Sequence, residues 1–75
     1  MAHSTINNAA LKKLEGLIDT PLPPDVLQNI LRDLERIVYM EPKNLRALST
    51  YAQYQLKNGR PDLAGEASSR VMKLS

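Results

Sequence analysis

The chain has no cysteine, no tryptophan, no phenylalanine and a single histidine. Without cysteine it can form neither a disulfide nor a thiolate metal site. His3 stands near a terminus, where chains fray, and a catalytic triad needs a firmly oriented base. There is no His/Glu pair at helical spacing, no glycine-rich phosphate loop and no Walker motif. A chain of 75 residues can hardly enclose the pocket that paired acid–base carboxylates require. The expectation is therefore a non-enzyme with no catalytic residues, no bound metal and no cofactor.

Charge of one sign is also scarce. Ten Lys and Arg stand against eight Asp and Glu, a net charge of +2. That excess is too small to argue for nucleic acid or an acidic membrane. Arg46, Lys57, Arg60, Arg70 and Lys73 alternate with acids and form no single helical row, and no aromatic residues interleave with them to stack on single strands. A small DNA-binding helical domain is accordingly the weakest functional reading. No apolar run approaches the roughly 20 residues of a membrane span. The N-terminus also lacks the apolar stretch of a secretory signal. A cytoplasmic protein with no membrane partner is the default.

Hydrophobic residues make up 43% of the chain, an ordinary share for a folded domain. With three tyrosines as the only aromatics, the core must be aliphatic. Residues 1–75 make one domain, and a chain this short buries roughly 60% of its unfolded surface, so stability is marginal. Packing, or association with another copy or a partner, must supply what staples do not.

Periodicity predicts four helices, at about 5–18, 24–40, 44–57 and 61–73. Ser4 or Thr5 can cap the first, with Ile6, Ala10, Leu14, Leu17 and Ile18 as its apolar stripe. Gly16 reads as a close-approach position within it. Three prolines between Pro21 and Pro24 end that helix, and Pro24 suits the first turn of the next. Leu27, Ile30, Leu31, Leu34, Ile37 and Val38 form the second stripe, with Arg32, Asp33, Glu35 and Arg36 on the wet side. Pro42 stops this helix and Asn44 caps the third, whose stripe is Leu45, Leu48, Tyr51, Ala52 and Leu56, with Ala47 at its edge. Asn58 and Gly59 close it. The fourth opens at Pro61-Asp62 and carries Leu63, Ala64, Ala67, Val71, Met72 and Leu74 on its apolar side.

Shifting the chain by about 34 residues aligns its apolar positions without a gap, a spacing that marks helix–turn–helix repeats. Leu14 falls on Leu48, Leu17 on Tyr51, Ile18 on Ala52 and Leu22 on Leu56. Ile30 falls on Ala64, Leu34 on Ser68, Ile37 on Val71 and Met40 on Leu74. The second unit, Leu48, Tyr51-Ala52, Leu56, Gly59-Arg60, Asp62, Ala64, Val71 and Leu74, resembles the tetratricopeptide repeat family. The likeness rests mainly on residues 42–74, less on 26–41 and least on what precedes. The first unit departs from the pattern: Asp25 replaces the turn glycine, and Ile18, Ile30 and Ile37 stand where small residues are usual.

The resemblance implies an all-α fold of four helices, arranged as two antiparallel helix hairpins in a right-handed stack. A plain four-helix bundle would show similar periodicity. The resemblance also implies a non-catalytic protein–protein interaction module that binds a peptide or helix of a partner, or associates with itself. A small helical chaperone or regulator subunit of a larger complex is the alternative. In such repeats the first helix of each pair lines a concave groove, which here places Arg46, Ser49, Thr50, Gln53 and Lys57 on the partner-binding surface. Arg46 and Lys57 are suited to hold carboxylates, and Gln53 to hydrogen-bond an extended backbone. Tyr54 is read as an exposed anchor, since tyrosine is enriched at interaction hot spots. An ordinary wet helix face is the bland alternative for the same residues.

Overall fold

A computed structural model describes residues 2–74, with side chains from Ala9 onward. The side chains of His3, Ser4, Thr5 and Ile6 lie outside that description. The protein is all-α, with helices α1 (Ala2–Leu17), α2 (Pro24–Met40), α3 (Leu45–Lys57) and α4 (Pro61–Leu74). Among the described residues there is no strand, and no helix is long and apolar enough to cross a membrane. The chain's first helix begins earlier than its periodicity predicts, at Ala2, so Ser4 and Thr5 lie inside α1 instead of capping it.

Local chemistry sets the other boundaries. Pro23 is extended, and Pro24 then opens α2 with Asp25 in its first turn, close to the positive end of the helix dipole. Between α2 and α3 the Asn44 amide donates to the Glu41 carbonyl at 3.0 Å across Pro42, whose fixed φ suits that turn position. Asn44 Oδ1 then accepts from the Ala47 amide at 3.1 Å, so Asn44 is the N-cap and α3 proper starts at Leu45. At the other end Gly59 takes φ 76°. Its amide donates to Leu56 O at 3.0 Å and that of Arg60 to Gln55 O at 2.9 Å. This is a Schellman closure, in which the left-handed residue lets two late carbonyls find donors.

The third helix is the hub. It packs most extensively against α4, then α2, then α1. Ala52, Ala64 and Ala67 form a small-residue cluster between α3 and α4, where the absence of side-chain bulk lets the two backbones come near. α1 and α2 share little close backbone contact. Ile18, just past the end of α1, and Ile30 of α2 both pack on the main core. The main core lies between α1, α2 and α3 and contains Leu11, Leu31, Leu34 and Leu48.

Several expected core positions differ. In α1 it is Leu11 that is fully buried, whereas Ala10 is exposed. Gly16 is not a close-approach position: it is exposed, and a Cβ there would meet nothing within 4 Å. In α3 the buried arc is broader than the stripe, and takes in Ala47, Thr50, Tyr54 and Gln55. Three packing neighbours, instead of one, cover α3 on most of its circumference. Leu45, Leu56, Met72 and Leu74, by contrast, remain exposed. The α2 stripe is buried from Ile30 to Val38 as its periodicity predicts.

Candidate functional site

Successive residues turn by about 100° around a helix. Arg46, Ser49, Gln53 and Lys57 therefore fall with Leu56 on one outward strip of α3. Thr50 lies at the edge of that strip, about 20° from Lys57, and Tyr54 about 60° from it; both are buried on the α1 side. The structure thus divides the six expected partner-binding residues: four stand on the open strip, with Ser49 half-buried, and two do not.

Tyr54 corrects its own expectation. It is 0% exposed, and its hydroxyl donates to the Leu14 carbonyl of α1. That carbonyl belongs to the last turn of α1, where helix geometry leaves C=O groups without an intrahelical partner. The ring therefore fills the α1–α3 seam while the hydroxyl caps the end of α1. Burial pushes the Tyr54 phenol above its ordinary value. Thr50 is likewise buried, and its hydroxyl donates to the Arg46 carbonyl at 2.8 Å, one turn back in α3. Neither side chain is available to a partner in this arrangement.

The Arg46 guanidinium is already engaged by the chain's own carboxylate. Its Nε and Nη2 meet Glu15 Oε2 and Oε1 at 2.8 and 2.9 Å, a bidentate fork that fits the planar group. The hydrogen-bonded Arg46 holds the Glu15 carboxyl below its usual range, and Glu15 in turn raises the Arg46 guanidinium. Lys57 makes no ion pair among the described residues, so it is the cation left open on the strip.

Beside this strip, α4 supplies Ser68, Val71 and Met72. Together with Ser49, Ala52, Gln53 and Leu56 they line a shallow groove of about 310 Å³. Leu56 is 60% exposed and Met72 79%, so two large apolar side chains flank the groove in water. Gln53 and the serine hydroxyls offer both donors and acceptors beside them. The far end of α3 is tied to α2 by a relay of side chains. Gln28 Nε2 donates to Asn58 Oδ1 at 2.9 Å, Asn58 Nδ2 lies 3.5 Å from Gln55 Oε1, and Gln55 Nε2 donates to the Tyr51 hydroxyl at 3.0 Å. This relay satisfies the buried Gln55, and it steadies the helix that carries the strip.

Among the described residues no three His, Cys, Asp or Glu side chains converge as metal ligands would. The groove offers hydrogen bonds and apolar contact, and no pair of groups set for proton transfer. No family model matches the chain, and comparison with curated proteins and with solved structures returns no match.

Sequence reasoning missed Glu15, Leu56, Ser68 and Met72 as parts of this region. A signal existed for two of them. The positions one and two turns before Leu56 are Gln53 and Ser49, and Met72 is preceded by Ser68 and Ser69, so both apolar residues sit in polar rows. Nothing local marks Glu15, because its partner is 31 residues away.

Proposed function

We propose that this protein is a non-catalytic, tetratricopeptide-like interaction module whose α3–α4 face receives a helix or extended segment of a protein partner, or of a second copy. The observation that carries this reading is the exposure of Leu56 and Met72 on either side of a groove edged by Ser49 and Gln53. Covering a side chain of that size is worth about 1.5–3 kcal/mol when it goes from fully exposed to fully buried. Gln53 and Ser49 would pair with backbone groups of the occupant, and Lys57 would meet an acidic side chain at the groove's end. The internal match at about 34 residues supports the same reading, since stacked helix pairs bury such faces against the next element. A chain of this size with Leu56 and Met72 exposed beside one groove also fits the alternative, a small helical regulator or chaperone subunit that keeps this face covered within a larger complex.

Photocrosslinking groups placed at Ser49 and Gln53, with Lys43 in the α2–α3 turn as the control position, test the proposal in cells of the protein's source. Adducts from the first two positions and none from the third are expected, and Leu56→Asp or Met72→Asp should abolish them while helicity is kept. Adducts from all three positions, or adducts that survive both substitutions, would contradict it. Solubility that depends on co-expression with the captured protein would favour the obligate-subunit alternative.

A further inference from the structure

A second groove, of about 370 Å³, opens on a different face, between α2 and α4 with α3 as its floor. It shares no lining residue with the α3–α4 groove. Buried Val38, Leu48 and Ala67 form an apolar base. The rim is charged, with Glu35 on the α2 side and Glu66 with Arg70 on the α4 side. We infer that this groove docks an apolar segment of a partner protein that carries one arginine or lysine side chain.

Charge complementarity selects that occupant. Arg70 Nη2 lies 3.6 Å from Glu66 Oε1, so the only guanidinium of the rim is already shared with a carboxylate. Glu35 has no ion-pair partner among the described residues. Two carboxylates against one guanidinium leave the rim with an excess negative charge. An incoming acidic side chain would face Glu35 and would have to draw Arg70 away from Glu66. A long cationic side chain can instead lay its methylene stem along half-buried Tyr51 and Leu63 and keep its charged end at the wet rim. Tyr39, 88% exposed, stands at the same edge and offers a ring face to that cation.

The test is an amide NMR titration of the full chain with two probes, the peptide acetyl-Ala-Leu-Arg-Leu-Ala-amide and its counterpart with Glu in place of Arg. The arginine peptide should shift the amides of Val38, Tyr51 and Ala67 and bind more tightly than the glutamate peptide, with a preference that shrinks as salt is added. Glu35→Gln should weaken it roughly two- to fivefold, the range of an exposed charge pair. In the double variant Glu35→Gln, Glu66→Gln, Arg70 is left alone and the preference should reverse towards the glutamate peptide. All three side chains are on the surface, and unchanged helicity of the variants is checked by circular dichroism. Equal affinity for the two peptides, no shift at these residues, or shifts centred on Ser49, Gln53 and Met72 would overturn the inference. The last outcome would leave the α3–α4 reading standing.

Discussion

The hydroxyl of Tyr54 donates to the backbone carbonyl of Leu14 at 2.5 Å, joining the last turn of α3 to the last turn of α1 across 40 residues of sequence. With buried Leu11 this bond fixes α1 against α3, away from exposed Gln53 and Leu56. Tyr54→Phe keeps the ring and removes the donor, stranding the carbonyl. The expected loss is about 1–2 kcal/mol in urea-induced unfolding. Tyr54→Ala should lose about 3–5 kcal/mol, because it also empties the seam.

Burial of the same phenol has a pH signature. A phenol whose folded value lies above its unfolded one, near 10, stabilises the fold fully below the unfolded value. That contribution disappears as pH rises through the folded value. Thermal unfolding followed from neutral to strongly alkaline pH should therefore show a loss of stability that Tyr54→Phe largely removes. A wild-type alkaline profile matched by the variant would contradict it.

At the acid end the Arg46–Glu15 fork acts in the opposite sense. Glu15 is held low by Arg46, so its contribution is present above its unfolded value, near 4.5, and fades as pH falls through the lower folded value. Both side chains are substantially exposed, so the effect is modest and should weaken in salt. Amide protection factors in the second half of α1, taken relative to the intrinsic exchange rate at each pH, should fall on acidification, and Glu15→Gln should lower them already at neutral pH.

Small residues give predictions of opposite sign. Ala52 and Ala64 sit in the α3–α4 contact, and Ala64→Leu should lose about 1–3 kcal/mol through overpacking. Gly65, its neighbour in sequence, faces open space, so Gly65→Ala should gain about 0.5–1 kcal/mol. Gly59→Ala should lose about 1–2 kcal/mol, since φ 76° crowds a Cβ against the backbone. Melting temperatures of the three variants check all of these together.

What could be read in advance follows from the range of each interaction. The caps at Pro24, Asn44 and Gly59 depend on a few neighbouring residues, and all three act as their residue types dictate. The α2 stripe was legible because α2 buries a single face. The α3 stripe was not, because burial of Thr50, Tyr54 and Gln55 arises only once three other helices surround it. A tyrosine flanked by polar residues looks exposed until a distant carbonyl is placed opposite its hydroxyl. The open strip of Arg46, Ser49, Gln53 and Lys57 was visible as a polar row. The apolar pair beside it was hidden, since Leu56 and Met72 fit a core stripe equally well by spacing alone.

Partner binding at the α3–α4 face requires α3 to bury Tyr54 on one side and expose Leu56 on another. Proton NMR of the methyl and aromatic groups with a soluble paramagnetic probe measures this directly, at a dilution where the chain is monomeric. The Leu56 and Met72 methyls should broaden strongly, while those of Leu11 and Leu48 and the Tyr54 ring stay sharp. A broadened Tyr54 ring, or Leu56 and Met72 methyls as protected as those of Leu48, would contradict both the α1–α3 seam and the open face that the proposed partner occupies.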